Sequence, residues 1–253
     1  HVTPFLLRLL ALSAIGCSVG LPLVGETLSS RLLVDLNSAT SPLGSGPNDF
    51  ASLPDATVFA ADDGVSGREL WRTDGTLDGT YRLPESCEGS CSRLGRHLWV
   101  EDGAAYFESA GARGLRATAG TADTTLLLSD DLRVADFPHA ADGKGGVYFV
   151  VRGSEGEELW ITDRTTAGTR RLLAPGAAAP SGGYADFTVF QGRLYFAARQ
   201  GSHPTSIWVS DGTIGGTRRL VSGKSSQEQR SARVLGATSH GVVLRLWTSN
   251  RGS

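Results

Sequence analysis

The chain has 253 residues with 24 basic and 26 acidic side chains, which gives a formal net charge of −2. That length accommodates one large domain or two small ones, and all-β domains often reach this size. The near balance of charge, with no basic stripe, excludes the electrostatic pattern of a nucleic-acid-binding protein. The 33 glycines are spread through the chain, and no stretch sustains an apolar stripe at helical spacing, so a helical fold is excluded as well.

Residues 1–25 differ in composition from the rest. An apolar run from Phe5 to Val24 is interrupted by Arg8, and it is too short and too broken to span a bilayer comfortably. It predicts an export signal, and with it an extracellular, periplasmic or cell-surface protein. The segment Ala14 to Cys17 resembles a bacterial lipoprotein cleavage box, although alanine stands where a large aliphatic residue is expected. Two interpretations stay open: a plain signal peptide, or a lipoprotein whose lipid on Cys17 is its only link to a membrane.

One phrase recurs along the remainder of the chain. It is Glu-Leu-Trp-Arg-Thr-Asp-Gly-Thr at 69–76, with related forms at 158–165 and 206–213. A degenerate copy lies at 114–121, and a further copy starts at 245–250. The closing threonines of the first four copies are 45, 44 and 48 residues apart. Repeats of roughly 40–50 residues made of short strands are typical of β-propeller blades. One such unit cannot bury its own apolar face and has to stack on its neighbours.

Each unit predicts four strands, with the Trp phrase as the third. We therefore predict an all-β fold, a β-propeller of four-stranded antiparallel blades with about five repeats, over residues 31–253. The first strands are expected at 49–53, 97–100, 136–139, 186–190 and 234–237. The units are expected at about 37–83, 84–128, 129–173, 174–221 and 222–253.

The two ends of the repeat region suggest how the ring is completed. Residues 31–36 look like a fourth strand with no unit before it, and the fifth unit stops at Ser253 before any fourth strand. The N-terminal strand is therefore expected to complete the last blade and close a five-bladed ring. The alternative is a truncated fragment, because the chain has no methionine and begins with His1.

The third strand and its turn carry the clearest local signals. Trp160 faces one way and Leu159 and Ile161 the other, which predicts a sheet covered on both faces. The following Asp-Gly pair supplies a carboxylate for the turn backbone and a residue free to take positive φ. Arg164 replaces that glycine in the third copy. Either the turn type changes there, or about 1–2 kcal/mol of left-handed strain is tolerated.

The second unit departs furthest from the phrase. It has Arg116, Ala119 and Thr124 where other copies have tryptophan, aspartate and the second glycine. Losing all three predicts the least ordered blade of the set.

These residues resemble the bacterial ELWxxDGT repeat proteins, whose units have Glu-Leu-Trp, two residues, Asp-Gly-Thr, two residues and Gly-Thr. Residues 69–80 match in full, 158–169 match except at Arg164, and 206–217 have Ser206-Ile207 in place of Glu-Leu. The resemblance covers roughly residues 31–253. It implies an exported β-propeller-like repeat protein, and it brings no catalytic residues because the defining positions are structural.

Cysteine and histidine give little evidence for a metal site. Cys87 and Cys91 are separated by three residues, and a local disulfide or two unpaired thiols both fit an exported protein. A lone CxxxC pair is poor evidence for zinc, and the histidines show no paired ligand spacing. We expect no metal and no cofactor.

Two functional classes follow from the sequence. The favoured one is a non-catalytic exported propeller that binds an unidentified protein or glycan through loops at one end of the ring. The alternative is a polysaccharide hydrolase or lyase with polar groups at the mouth of the central channel. The candidates for that cluster lie in or near the first strands, where His97 stands in place of the aligned Asp49 and Asp186, and His139 and Arg233 lie close by.

Overall fold

The computed structural model describes residues 34–36, 44–83, 94–109, 114–173, 180–221 and 230–248. All regular structure in these ranges is β-strand, as predicted. Consistent with this, the described ranges contain no helix long and apolar enough to cross a membrane.

The strands form four sheets of four strands and one sheet of two. In every sheet, strands that are consecutive in the chain lie side by side and run antiparallel. Sheet one contains β1 (Asn48–Ser52), β2 (Thr57–Asp62), β3 (Arg68–Thr73) and β4 (Tyr81–Arg82), and sheet two contains β5 (Leu94–Glu101), β6 (Ala104–Ser109), β7 (Gly114–Thr118) and β8 (Leu126–Ser129). Sheet three contains β9 (Val134–Ala141), β10 (Val147–Gly153), β11 (Gly156–Thr162) and β12 (Arg170–Arg171), and sheet four contains β13 (Gly182–Phe190), β14 (Arg193–Arg199), β15 (Ser206–Ser210) and β16 (Arg218–Val221). Sheet five contains β17 (Arg230–Ala237) and β18 (Val242–Thr248).

The apolar core lies between successive sheets. One buried cluster joins sheets one and two, a second joins two and three, a third joins three and four, and a fourth joins four and five. The first strands of neighbouring sheets contact each other along the series. The fold is therefore all-β, built from four-stranded antiparallel sheets that resemble propeller blades.

The third strands confirm the prediction that both faces of a sheet are covered. Leu159 and Ile161 of β11 pack toward sheet four, whereas Trp160 packs toward sheet two. The indole N–H of Trp160 also donates to Glu158 Oε2 at 3.0 Å. Trp208, at the same position in sheet four, is more deeply buried and lies in the core shared with sheet three.

The tryptophan of the predicted fifth phrase has a different place. Trp247 lies in β18, the second strand of sheet five, where it pairs with Ser231, and 37% of it is exposed. The prediction of a third strand starting at Arg245 was wrong. Residues 242–248 contain no glycine, proline or asparagine to form a turn, so the chain continues as one strand.

The predicted closing strand is not tested in full. Residues 34–36 take no strand conformation, and 31–33 lie outside the described residues. Ring closure by the N-terminal strand therefore stays a prediction.

Candidate functional site

The Asp-Gly-Thr loops between the third and fourth strands are built by their own side chains. In sheet one, Asp74 Oδ1 accepts hydrogen bonds from the backbone N–H and the hydroxyl of Thr76, at 2.9 and 2.7 Å. The Thr76 hydroxyl in turn accepts the N–H of Gly79 at 2.9 Å. Thr73 and Thr80 close the loop with a hydroxyl pair at 2.7 Å. The repeated phrase is thus a self-contained hydrogen-bond network.

Sheets three and four repeat this network. Asp163 Oδ1 accepts from the N–H and hydroxyl of Thr165 at 2.9 and 2.6 Å, and Asp211 Oδ1 accepts from those of Thr213 at 3.0 and 2.7 Å. These threonine hydroxyl and backbone bonds hold the pKa of both aspartates below its ordinary value, because they stabilise the carboxylate form.

The second glycine of the phrase leaves room for the aspartate. A Cβ on Gly168 would lie 1.9 Å from Asp163 Oδ1, and a Cβ on Gly79 would lie 2.0 Å from Asp74 Oδ1. Real Cβ atoms do not approach an oxygen so closely, so no side chain fits at this position while the aspartate keeps its bonds.

In the loop of sheet two, a threonine at the position of the second glycine takes the place of the aspartate as hydrogen-bond acceptor. Ala119 removes the carboxylate, and the hydroxyl of Thr124 accepts the N–H groups of Ala119 and Thr121 at 3.1 and 3.2 Å. The closing hydroxyl pair, Thr118 with Thr125, is retained at 2.8 Å. Arg116 takes the tryptophan position and is fully buried. The sheet has all four strands, and that it is the least ordered of the set stays a prediction.

Arg164 keeps the turn type and accepts a positive φ of 69°. The substitution of the turn glycine by Arg164 therefore leaves the turn type unchanged, and the left-handed conformation is tolerated. The guanidinium donates to the carbonyl oxygen of Asp102 at 3.1 Å and to its Oδ2 at 3.2 Å. Since Asp102 belongs to the β5–β6 turn, Arg164 bridges sheet three to sheet two.

A cleft of about 400 Å³ lies between sheets three and four, at the end that carries the Asp-Gly-Thr loops. It is formed by the β9–β10 turn and by the Asp-Gly-Thr loops of both sheets. Its lining includes three aspartates and three cationic residues: Asp142, Asp163, Asp211, Lys144, Arg164 and Arg170.

Most of these charged groups are already bound within the protein. Asp142 Oδ1 accepts the backbone N–H groups of Lys144 and Gly146 at 2.7 and 2.9 Å. Arg170 donates to the carbonyl oxygens of Gly168 and Gly212 at 3.2 and 3.0 Å, which ties the two loops together. The cleft therefore has a rigid polar rim. Ile161 is its one aliphatic side chain.

Of the residues predicted to gather at the channel mouth, two bind each other and two others have different partners. Asp186 and Arg233 form a two-point ion pair at 2.8 and 3.1 Å, which joins sheets four and five. His139 Nδ1 lies 2.8 Å from Glu101 Oε2, and Asp49 Oδ2 lies 2.6 Å from the Arg68 guanidinium.

The remaining predicted residues cannot be placed in the same way. The side chain of His97 lies outside the described residues, as do Cys17, Cys87 and Cys91. Within the described ranges, no group of three or more histidine, cysteine, aspartate or glutamate side chains is arranged to hold a metal ion.

The sequence prediction missed the cleft. The feature of the sequence that could have indicated the cleft is the turn Asp142–Gly146. It is longer and richer in glycine than the Asp102–Gly103 turn at the same place in sheet two. It also holds Lys144, one of two lysines in the chain.

The chain matches none of the known protein-family models and none of the curated proteins. Three solved structures similar to it are TolB from Acinetobacter baumannii (TM-score 0.40, 12% identity, 81% of this chain and 53% of that one), the GH74 enzyme of Niastella koreensis (0.43, 15%, 83% and 29%) and a nidogen/laminin complex (0.37, 13%, 79% and 70%). The chain thus spans about half of the TolB chain and under a third of the GH74 chain. Likeness at this level concerns the fold alone.

Proposed function

We propose that this chain is an exported, non-catalytic repeat propeller of the ELWxxDGT type, a binding module whose protein or glycan ligand enters the cleft between sheets three and four. The observation that carries the proposal is the cleft itself, a concave polar site between two blades with its rim fixed by internal hydrogen bonds. Ligand-binding sites are typically concave, largely preformed and of about this volume, although this cleft is more polar than most of them.

The state of the aspartates favours binding over hydrolysis. A glycoside hydrolase needs one carboxyl group that is protonated near neutral pH, which requires a raised pKa. The pKa values of Asp163 and Asp211 are shifted in the opposite direction by their threonine partners. Both therefore stay ionised, which suits them to accept hydrogen bonds and not to donate a proton.

The alternative, a hydrolase or lyase at the channel mouth, gains less support. Asp186 is held by Arg233, and Asp49 by Arg68. Both carboxylates are thus engaged by a guanidinium of the protein, which leaves them less free to contact a substrate.

Gly212→Arg tests the cleft directly. Gly212 has φ of 85°, and the equivalent Arg164 shows that arginine is tolerated in this conformation. An arginine side chain at 212 would enter the cleft that Gly212 lines. The control is Gly75→Arg, at the same loop position of sheet one, with φ of 88°. A Cβ there meets nothing within 4 Å, whereas a Cβ at 212 would lie 3.2 Å from Ile161 Cδ1, the flexible end of a side chain that can shift.

We expect the wild-type protein to bind members of a combined glycan and peptide array. Gly212→Arg should remove that binding, whereas Gly75→Arg should retain it, with both variants showing wild-type circular dichroism. Equal binding by both variants would contradict the cleft as the site. Release of reducing ends from a polysaccharide panel, or no binding to either array, would contradict the function.

A further inference from the structure

The second strand of sheet five has a free edge. Among the residues that the structure describes, β18 pairs with β17 alone, whereas the second strand of every other sheet lies between two partners. β18 is seven residues long, and the outermost strands of the other sheets have two or four. Apart from Arg245, it has none of the charged residues or prolines that protect edge strands. A long apolar edge of this kind is a place where another chain can pair.

The face of sheet four beside this edge is incompletely covered. On the fourth strands of sheets one, two and three, one leucine is fully buried in the core shared with the following sheet: Leu83, Leu128 and Leu172. The corresponding residue of sheet four is Val221, which pairs with Ile207 of the third strand. It lies in the core shared with sheet five but is only half-buried. A further strand beside β18 would cover it.

The other sheets show what kind of strand fits beside a second strand. In sheets one, three and four that neighbour is the repeated phrase, whose tryptophan lies opposite a phenylalanine of the second strand. Phe196 packs toward the preceding sheet, and Leu244 of β18 packs toward sheet four in the same way. A strand with the character of the phrase would therefore place its tryptophan opposite Leu244. The strand predicted at 31–36 resembles a fourth strand, so it does not fill this third position.

We propose that the free edge of β18 binds an extended peptide segment of a partner protein, with alternating apolar side chains and an aromatic residue that faces sheet four. Hydrogen bonds along the main chain supply affinity in this mode of recognition, and the alternate side chains supply specificity. The site lies in sheet five and the adjoining face of sheet four, so the inference goes beyond the cleft and does not depend on it.

A second copy of the chain fits the edge less well than a peptide does. Antiparallel pairing of two β18 strands about a two-fold axis would place sheet four of both copies on the same face of the joined sheet. Sheet four has four strands and sheet five only two, so the two copies of sheet four would compete for the same space. A single extended segment has no such conflict.

The experiment is fluorescence anisotropy of the full-length protein with a labelled peptide that has the sequence of residues 155–163, which includes strand β11. We expect saturable binding. The same peptide with Leu159→Pro should bind at least about tenfold more weakly, because proline removes an N–H that a β-ladder uses. The peptide with Trp160→Ser should also bind at least about tenfold more weakly, because its aromatic contact with sheet four is lost. These two peptides leave the protein itself unchanged.

Two protein variants locate the site. Leu246 lies in β18 and is 55% exposed, and Leu246→Asp should weaken peptide binding by about tenfold or more. The control is Leu235→Asp, on β17, where the leucine is 60% exposed and does not border the proposed site. It should bind the peptide as wild type does, and so should Gly212→Arg. Circular dichroism and thermal unfolding establish that each variant is folded.

Three results would overturn the inference. The first is that wild type does not bind the peptide, or binds the proline form equally well. The second is that Gly212→Arg removes peptide binding and Leu246→Asp does not, which would place the peptide in the cleft and support the function proposed there. The third is that light scattering shows a wild-type dimer and a monomeric Leu246→Asp variant, which would assign the edge to a second copy of the chain.

Discussion

Placing the loop residues of sheet two into sheet three tests whether the second glycine of the phrase is needed only when the aspartate is present. The change is Asp163→Ala with Gly168→Thr, which reproduces the arrangement of Ala119 and Thr124. Gly168→Thr alone places a Cβ within 1.9 Å of Asp163 Oδ1, so the aspartate has to leave its two bonds to Thr165.

The magnitudes follow from the bonds that are lost. Each of the two hydrogen bonds to Thr165 contributes about 0.5–1.5 kcal/mol, and the exposed position of Asp163 puts both near the lower end. Each single substitution should therefore lower the free energy of unfolding by about 1–2 kcal/mol. In the double variant the threonine hydroxyl accepts the backbone N–H groups, as Thr124 does, and the loss should stay within about 1 kcal/mol.

Urea unfolding followed by tryptophan fluorescence measures all four proteins of this cycle. The reverse pair in sheet two, Ala119→Asp with Thr124→Gly, is the control, and it should show a coupling of the same sign. Losses that add within about 0.5 kcal/mol in the double variant would refute the account of why the phrase contains its second glycine.

Three further predictions concern stability. Trp208→Ala should lower the free energy of unfolding by about 3–5 kcal/mol, and Trp160→Ala should lower it less, because Trp208 is buried and Trp160 only half-buried. Equal unfolding midpoints of the two variants in urea would contradict this. The pKa of Asp163 is lower in the folded state than the unfolded-state value of 3.8. The contribution of its carboxylate to folding stability is therefore present above pH 3.8 and is lost as pH falls through the folded-state pKa. Between about pH 6 and pH 2 the melting temperature should thus fall less in Asp163→Asn than in wild type. Arg164→Ala should be less stable than Arg164→Gly, because both variants lose the bonds to Asp102 and only alanine keeps the left-handed strain; thermal unfolding that ranks them in the opposite order would be evidence against that strain.

The fold was predictable because the repeated phrase keeps its register in space as it does in sequence. Phe59, Phe149 and Phe196 each pair with the tryptophan of the following strand, so the phrase occupies the same strand position in three of the sheets. It did not mark a third strand at Trp247. There the aromatic residue recurs, but the turn residues that should precede a third strand are absent.

The second sheet and the site were less predictable, for different reasons. Thr124 replaces a missing carboxylate only because its Cβ points at the place where the aspartate would be, which is a fact of loop geometry. The cleft unites the turn around Lys144 with Asp211, which lies 67 residues further along the chain. No local pattern in the sequence indicates that these two segments meet.

The two neighbouring sheet boundaries differ at the loop position that faces the turn of the preceding sheet. Between sheets two and three, Arg164 extends from its loop to Asp102 and bridges the boundary. Between sheets three and four the equivalent loop position is Gly212, which has no side chain, and the facing turn is the longer Asp142–Gly146. The loops themselves are nearly identical in their internal bonds, so the repeat supplies the rigid rim and the glycine at 212, whereas the longer Asp142–Gly146 turn is particular to sheet three. Binding specificity should accordingly respond to substitutions at the first-to-second-strand turns and at the glycine of the Asp-Gly pair, while substitutions of the repeated threonines should act on stability.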